Sequence, residues 1–418
     1  MNTNTPRRGV FVYNCAMEEI LTKLESGPCF ACSDFPAPHG FTYISATFEV
    51  WSNDWTARFF GKPNDRLARA MFLMGDAMMQ RTLQLCMMLR ILRASDDIEK
   101  SQTNRTRVIW KEARTRNIHM QQLLLLRTPL ELHRAYRNGR WVYFQSIPIP
   151  KAIQRAETLR ADDKLLFKQT MQRCGIPVAR GFSVRTIEEA RHAWNELNQP
   201  VVVKPRIGSR ARHTTPYIRT WEDLSLAFFS AKILCHYVML EEHLFGSICR
   251  ATVVNGVLRG FLQKNPPRIT GDGVHTVREL VELANDTKRD GVWQIIWGEE
   301  HDTYVARQGL TASTILEKGV RIDISRHSGR QVGGDSHEMP GGIHSKLREY
   351  IERAARELGV PVVGFDMIIA DATKDPDAQR WGMLEANSLP YIDLHYAPLE
   401  GEPSNVAAHV WDLWNEQK

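Results

Sequence analysis

The chain has 418 residues, a length that predicts two or three domains with substantial hydrophobic cores. Its hydrophobic fraction of 43% and its charged fraction of 24% are ordinary for a soluble globular protein. The net charge of +6 is modest and spread along the chain. Such a charge suits anionic small substrates and is too diffuse to indicate nucleic-acid binding.

The sequence predicts neither secretion nor a membrane anchor. The first fifteen residues lack a charged segment followed by a sustained apolar run, so we expect no signal peptide. The most apolar long segment, 67–92, contains Arg69, Asp76, Arg81 and Arg90, which make a membrane span too costly. Seven scattered cysteines fit reduced thiols better than a disulfide framework, so we expect a cytoplasmic protein.

One pair of cysteines has the spacing of metal ligands. Cys29 and Cys32 form a Cys-x-x-Cys motif, but neither a second cysteine pair nor a nearby histidine pair accompanies it. We therefore interpret this pair as structural or incidental, and not as a zinc site.

The patterns before residue 150 are weak. Residues 1–66 mix short apolar runs with proline, glycine and aspartate and indicate little beyond a few strands. The Met- and Leu-rich helix predicted over 67–92 is apolar nearly all round. We expect it to lie in a core or in the interface of a homo-oligomer, with a dimer as the expected state. Segments 130–136 and 141–147 flank Asn138-Gly139 and predict a β-hairpin.

Clearer signals begin after a domain boundary placed near residue 150. The predicted elements are a helix from Lys164 to about Cys174, a helix over 186–197, a strand over 200–205, a strand over 237–242, an Asn-Gly hairpin over 251–259, a helix beginning near 275, an amphipathic helix over 343–358 and a last helix over 404–414. Between the strand that ends at Lys204-Pro205 and residue 215 lies a loop of small residues that contains three arginines.

The most informative segment begins at Gly364. Residues 364–371 and 381–387 both read as strands, and a polar stretch with Pro376 separates them. If the two strands pair, Asp366 lies opposite Glu385, while Glu385 and Asn387 share one face. Carboxylate and amide oxygens are the ligands that Mg²⁺ and Mn²⁺ prefer. The alternative is three polar side chains on the wet face of a hairpin.

Several of these motifs together resemble the ATP-grasp superfamily of carboxylate–amine ligases. The motifs are Lys164, Lys204 with its loop, Glu241-Glu242, Gly271-Asp272-Gly273, Asp366, and Glu385-x-Asn387. The phrase Pro-Pro-Arg-Ile-Thr-Gly-Asp-Gly-Val-His-Thr-Val-Arg-Glu-Leu over 266–280 is similar to the ATP-grasp part of cyanophycin synthetase and to related standalone amino-acid ligases. The resemblance covers about 105–410 and implies an α+β ATP-grasp fold, two lobes clasping ATP, behind a divergent and partly helical N-terminal domain. The expected domains are 1–150, 151–235 and 236–418.

The resemblance also implies roles for individual residues. Binding of ATP is implied for six positions: Lys164, Lys204, Gly208, Ser209, Glu241 and Glu242. Lysines meet phosphate as point charges, and the two glutamates match the acids near the adenine or ribose. Asp366, Glu385 and Asn387 match the ligands of Mg²⁺, or alternatively Mn²⁺. Arg250, Lys264 and Arg212 match basic residues beside the phosphates and the acyl substrate.

The implied reaction is an ATP-dependent ligation. ATP phosphorylates the carboxylate of an amino acid or peptide, and an amine then attacks the acyl phosphate. We expect small-molecule substrates and neither a nucleic-acid nor a membrane partner. The positive side chains of Arg206, Arg210, Arg212, Lys264 and Arg268 fit an acidic substrate, and the alternative is that several of them serve ATP.

The loop that follows Lys204 departs from the family pattern. Such loops usually contain several glycines because backbone amides must approach phosphate oxygens closely. Here Gly208 is present, but Ala211 and His213 stand where glycine is expected. This departure favours an alternative in which the chain is a catalytically weak relative that binds a nucleotide or peptide. The complete Asp366, Glu385 and Asn387 set favours a ligase.

Overall fold

The structure is a computed structural model that describes residues 29–32, 38–59, 66–154, 161–208, 210–288, 292–306, 308–325, 328–329 and 332–415. The chain divides into two compact units. The first unit consists of Met1–Lys62, Asp162–Gln169 and Ala179–His243. The second unit consists of Pro63–Ala161, Thr170–Val178 and Leu244–Lys418. The division at residues 150 and 235 stays a prediction, although the strand at 238–242 lies in the sheet of the first unit.

The described residues contain both helices and antiparallel sheets, which is consistent with the α+β prediction. The helices are α1 (His39–Phe59), α2 (Arg66–Met88), α3 (Asn104–Thr115), α4 (Lys164–Arg173), α5 (Ile187–Glu196), α6 (Trp221–Lys232), α7 (Val277–Asp286), α8 (Glu299–Ala306), α9 (Ser345–Leu358) and α10 (Val406–Asp412). The strands of the first unit are β5 (Gly181–Val184), β6 (Val201–Pro205), β7 (Thr215–Ile218) and β8 (Val238–Glu242). Those of the second unit are β1 (Leu92–Ser95), β2 (Met120–Leu125), β3 (Thr128–Arg137), β4 (Arg140–Gln145), β9 (Ser247–Val254), β10 (Val257–Lys264), β11 (Arg268–Thr270), β12 (Arg321–Asp323), β13 (Ser336–Glu338), β14 (Val362–Ile369) and β15 (Gly382–Asn387).

The first unit is built on a four-stranded antiparallel sheet with the order β5-β8-β6-β7. Apolar side chains of α5 and α6 pack on this sheet around Val203, Phe228 and Leu240, all of which are buried. Helix α1 also belongs to this unit, where Ala46 and Val50 pack with Cys235. The prediction that 1–66 contains little beyond strands is wrong over α1, whose aromatic and polar composition gives a weak helical signal.

The second unit contains a five-stranded antiparallel sheet with the order β13-β10-β9-β14-β15. A hydrophobic core forms where α3 and α10 pack beside this sheet, and it includes Trp110, Val254, Val362 and Trp411. Both predicted Asn-Gly hairpins are present as β3-β4 and β9-β10. At the first of them Asn138 and Gly139 have φ angles of 50° and 79°, which is the left-handed backbone of a two-residue turn.

A separate four-stranded sheet, β1-β2-β3-β4, precedes these elements in the second unit. One face of α2 packs on it through Leu83, Cys86 and Met87. The other face is exposed: Met74, Met78 and Met88 are 70%, 69% and 73% accessible. The expectation that this helix is buried on all sides is therefore wrong for the single chain. Its place in a subunit interface stays a prediction. None of the described helices combines the length and the hydropathy that crossing a bilayer requires.

The backbone of β10 comes unusually close to a buried histidine. His395 is fully buried, and its ring is held by Glu338 Oε2 at 2.7 Å and by Thr252 Oγ1 at 2.7 Å. A Cβ atom at Gly260 would lie only 2.6 Å from Nδ1 of that ring. These contacts are those of a structural histidine that links β9 and β13.

We expect Gly260→Ala to lower the free energy of unfolding by about 1–3 kcal/mol because the fixed ring cannot move away from the added methyl group. Urea denaturation measures the change. Gly341→Ala is the matched control, since no atom lies within 4 Å of its added Cβ. Equal midpoints for the two variants would contradict the proposed clash.

Candidate functional site

Three charged side chains form a row across neighbouring strands of the second unit. Asp366 on β14 lies directly opposite Glu385 on β15 and opposite Arg250 on β9. The predicted register of Asp366 and Glu385 is thus present. A β-bulge follows this pair, because Met367 pairs with Met383 and leaves Leu384 as the extra residue. Bulges of this kind redirect side chains and occur often beside active sites.

Arg250 holds Asp366 with a two-point hydrogen bond. Its Nε donates to Oδ1 at 2.8 Å, and its Nη2 donates to Oδ2 at 2.6 Å. Asn387 Nδ2 also donates to Asp366 Oδ2, at 3.4 Å. The residue opposite Asn387 is Gly364, and a Cβ there would lie 2.9 Å from Arg250 Nη1. The missing side chain at 364 therefore leaves room for the guanidinium.

The charges of this row favour an ionised carboxylate. Burial alone would raise the pKa of Asp366, but the cations of Arg250 and Lys264 outweigh it and lower that pKa below its ordinary value. Burial lowers the pKa of Lys264, and the nearby Arg250 guanidinium lowers it further against the opposing carboxylates of Asp366 and Asp393. Asp366 is therefore available as an anionic ligand at neutral pH.

The residues of this row fit a hard divalent cation. Asp366, Glu385 and Asn387 supply carboxylate and amide oxygens, the donor set of Mg²⁺. Arg250 Nη1 is a buried donor that has no hydrogen-bond partner among the described residues. A buried and unsatisfied donor is costly, so its presence indicates a place for an acceptor such as a phosphate or carboxylate oxygen.

A second group of charges lies in the first unit, around Glu241. The carboxylate of Glu241 is 1% accessible, and its Oε2 lies 2.9 Å from Lys204 Nζ and 3.3 Å from Lys168 Nζ. Burial by itself would raise the pKa of Glu241, but the two ammonium groups hold it below its ordinary value. Lys168 was not found from the sequence, because a lysine inside a helix is usually a solvated surface residue.

The two glutamates predicted to meet adenine or ribose have protein partners instead. Besides the lysine pairs of Glu241, Glu242 Oε1 accepts from the backbone nitrogen and from Nδ2 of Asn198, at 3.2 and 2.8 Å. Glu241 Oε1 is nevertheless buried without a hydrogen-bond partner among the described residues. Of the other predicted nucleotide residues, Lys164 donates to the carbonyl of Gly208 at 2.8 Å, whereas Ser209 lies outside the described residues.

Two of the arginines predicted near an acidic substrate serve the fold. Arg206 is 2% accessible and pairs with both oxygens of Asp163 at 2.9 Å. Its Nη2 also donates to Asp54 Oδ1 at 2.6 Å. Arg268 Nε lies 2.5 Å from Asp323 Oδ1, which links β11 and β12. Each guanidinium already pairs with a carboxylate of the protein. Neither of these arginines therefore argues for an acidic substrate.

The loop after β6 has positive φ angles at three positions that are not glycine. Arg210, Ala211 and His213 have φ angles of 60°, 53° and 50°. This left-handed region costs a residue with a side chain about 1–2 kcal/mol. The positions where glycine was expected thus adopt the conformation that glycine would favour. Arg212, predicted as a catalytic cation, lies near His39: burial lowers the pKa of that histidine, and the Arg212 charge lowers it further.

The segment 266–280, which carries the most specific resemblance in the sequence, contains a tight turn. Asp272 Oδ1 accepts from the backbone nitrogens of Val274 and His275 at 2.8 and 2.9 Å. Thr276 then caps α7 in a capping box with Glu279. A Cβ at Gly271 would lie 2.3 Å from the carbonyl oxygen of Glu317. The observed contacts of this phrase are therefore those of a structural turn that starts a helix.

Curated proteins with similar sequences are large biosynthetic enzymes. The chain is 29% identical over 262 residues to cyanophycin synthetase of Synechocystis, a match that covers 60% of this chain and 30% of that protein. It is 28% identical over 261 residues to the glutathione biosynthesis bifunctional protein GshAB of Pasteurella multocida, covering 60% of this chain and 34% of that protein. The chain therefore spans about a third of the length of these two relatives. No protein-family model matches the sequence.

Among solved structures, the chain is similar to a bifunctional glutathione synthetase from Pasteurella multocida. The TM-score is 0.52 at 24% identity, and the match covers 75% of this chain and 43% of that chain. At this identity the likeness establishes a shared fold.

Proposed function

We propose that this chain belongs to the ATP-grasp superfamily and has the α+β fold of that superfamily. In this proposal it is an ATP- and Mg²⁺-dependent ligase that forms an amide bond between a carboxylate and an amine. The observation that carries the proposal is the row of Arg250, Asp366 and Glu385 with Asn387, an oxygen-rich group beside a buried donor that has no hydrogen-bond partner in the described part of the chain. The sequence likeness to ligases over 60% of the chain supports the same assignment.

In this proposal Asp366, Glu385 and Asn387 hold Mg²⁺, which neutralises charge on the phosphates of ATP when it is bound. Arg250 keeps the Asp366 carboxylate ionised and oriented through its two hydrogen bonds. Its free Nη1 and the ammonium of Lys264 provide positive charge for the phosphoryl group as it moves to the acyl substrate. Arg212 is proposed as a further cation for that group.

Lys164 and Lys204 are proposed to meet the nucleotide phosphates, together with the backbone of Gly208 and Ser209. Lys168 joins them, because it shares the buried Glu241 carboxylate with Lys204. Glu241 then acts by fixing two ammonium groups. Its Oε1, which accepts no hydrogen bond from the residues that the structure describes, offers an acceptor for a donor of the nucleotide. Glu242 is proposed for the ribose or adenine side, and binding there would require a change in its contacts with Asn198.

The proposed reaction has two steps. A substrate carboxylate oxygen attacks the γ-phosphorus of ATP, the bond from that phosphorus to the bridging oxygen breaks, and ADP leaves. An amine then attacks the acyl carbon of the mixed anhydride, loses a proton, and expels inorganic phosphate. The chain's role is to position the groups and stabilise charge.

We propose an amino acid or peptide as the carboxylate substrate and the cytoplasm as the place of action. None of the six described cysteines forms a disulfide, which fits a reducing compartment. We also propose a homodimer, supported by the exposed apolar face of α2. Sedimentation or light scattering that gives the mass of one chain would contradict the dimer.

The experiment is ADP and phosphate release from ATP and Mg²⁺ with pools of amino acids and dipeptides, followed by mass spectrometry. A ligase gives release that requires both an acid and an amine, a product mass equal to their sum less one water, and no release with excess EDTA. Binding of ATP without release from any pool would favour the nucleotide-binding module. Failure to bind ATP would overturn both assignments.

A further inference from the structure

A cluster of thiols and imidazoles lies in the first unit around the Cys-x-x-Cys pair. Cys29 directly precedes a single 3₁₀ turn, Phe30–Cys32, whose last residue is Cys32, and His39 is the first residue of α1. The fourth member, His213, is far away in sequence, on the loop after β6. One ligand atom from each of the four residues lies within 4.8 Å of all the others. The sequence pattern does not connect this distant histidine with the cysteine pair, and from the sequence alone the pair is therefore interpreted as structural or incidental.

The distances within the cluster match a tetrahedral metal site. His39 Nε2 lies 3.2 Å from Cys32 Sγ. His213 Nε2 lies 3.5 Å from Cys29 Sγ and 3.5 Å from Cys32 Sγ. Zinc bonds of roughly 2.3 Å to sulfur and 2.0 Å to nitrogen, at tetrahedral angles, separate neighbouring ligand atoms by about 3.3–3.8 Å. These three separations lie within a few tenths of an ångström of that range, and the other pairs of ligand atoms lie within 4.8 Å.

The protein fixes His213 in the tautomer that a metal requires. Its Nδ1 lies 2.7 Å from the carbonyl oxygen of Ser230. A carbonyl oxygen only accepts hydrogen bonds, so Nδ1 carries the hydrogen, and the Nε2 lone pair of the neutral ring faces the two sulfurs. An imidazole whose second nitrogen donates to a backbone carbonyl is the usual outer arrangement of zinc-binding histidines.

The backbone around the cluster is also tied together. The backbone nitrogen of His213 donates to the carbonyl of Ala31 at 2.8 Å, and that of Cys32 donates to the carbonyl of Cys29 at 3.0 Å. The two cysteines therefore sit on one tight turn, and the loop that carries His213 is bonded to that turn. Cys32 and His213 are buried, whereas Cys29 and His39 are half-buried, so a bound ion would be partly shielded from solvent.

From this geometry we infer that Cys29, Cys32, His39 and His213 form a structural zinc site of the Cys₂His₂ type. Four protein ligands close the coordination sphere, which is typical of structural rather than catalytic zinc. Binding would fasten the start of α1 and the loop at 210–213 to each other. The inference rests on the geometry of the four residues and not on the proposed ligase activity.

The test uses the full chain, purified under reducing conditions, stripped with a chelator and titrated with Zn²⁺ alone in competition with a chromophoric chelator. We expect one equivalent of zinc with a dissociation constant of about 1 nM or tighter. Titration with Co²⁺ in place of Zn²⁺ should give the intense visible absorption of tetrahedral coordination together with a thiolate charge-transfer band. Absence of tight zinc binding, or a cobalt spectrum without thiolate character, would overturn the proposal.

Wild-type protein alone can locate the site. Zinc should protect Cys29 and Cys32 from alkylation, and chelator should expose both, as read by peptide mass spectrometry. Protection that falls on other cysteines would overturn the assignment.

Variants provide the second measurement. Cys29→Ser/Cys32→Ser and His213→Gln should lose the tight site, together with the rise in melting temperature that zinc produces in wild type. Cys174→Ser is the matched control, because this partly exposed cysteine belongs to the second unit. Unchanged zinc stoichiometry in the double cysteine variant would also contradict the site.

Discussion

A Glu385→Gln variant is expected to release ADP at least about 100-fold more slowly than wild type while it remains folded. Glu385 is partly exposed on β15 beside Asp366, so the amide fits the same space. The substitution removes one negative ligand from the proposed Mg²⁺ site and leaves the Arg250–Asp366 pair in place. The measurement is the rate of ADP release at several Mg²⁺ concentrations.

Glu349→Gln is the matched control, since this glutamate is exposed on α9. It changes the net charge by the same amount and should keep the wild-type rate. A Glu385→Gln enzyme that matches wild type at every Mg²⁺ concentration would exclude Glu385 as a metal ligand. Melting temperatures of both variants near the wild-type value would show that the loss of activity is not caused by unfolding.

An Arg206→Leu variant is expected to lose about 3–5 kcal/mol of stability. Arg206 is the main described partner of the Asp163 carboxylate, which is completely inaccessible to solvent. Removing the guanidinium leaves that anion buried without this cationic partner, although the backbone nitrogens of Leu165 and Leu166 still donate to Oδ1 at 3.0 and 3.3 Å and Asn53 Nδ2 donates to Oδ2 at 3.4 Å. Urea denaturation measures the loss, and hydrogen exchange of peptides from β6 and α4 should show faster opening in the first unit.

Two further variants separate this explanation from a general effect of losing charge. Arg219→Leu removes an exposed arginine from the same unit and should change stability by less than about 0.5 kcal/mol. Arg206→Leu/Asp163→Leu removes both charges and should recover part of the loss. If the double variant is as unstable as the sum of its single changes, the buried ion pair is not the cause.

Much of the proposed metal site can be predicted from sequence because it depends on local rules. Alternation along a strand places Glu385 and Asn387 on one face, and a single short loop brings β15 back beside β14. What this reasoning misses is the third strand. Arg250 lies 116 residues from Asp366, and no local pattern pairs the two.

The same limit explains the other differences. Arg206 reads as a loop cation suited to an anionic substrate, yet its partners are Asp54 and Asp163, which lie 152 and 43 residues away. The Cys29–His213 contact spans 184 residues. Spacing rules for zinc motifs cover only ligands that are close in the chain. The roles of these side chains therefore depend on partners that are distant in sequence. Those partners become visible only in the fold.

The left-handed backbone at Ala211 and His213 bears on how any ligand of this loop would be bound. A glycine-rich loop samples many conformations, and ordering it upon binding subtracts from the affinity. In this chain, side chains restrict the backbone of the loop before a ligand arrives. The hydrogen bond from the backbone nitrogen of His213 to the Ala31 carbonyl restricts it further. The entropy of ordering is then lost during folding, so binding at this loop should have a smaller entropic penalty than binding at a loop built from glycines.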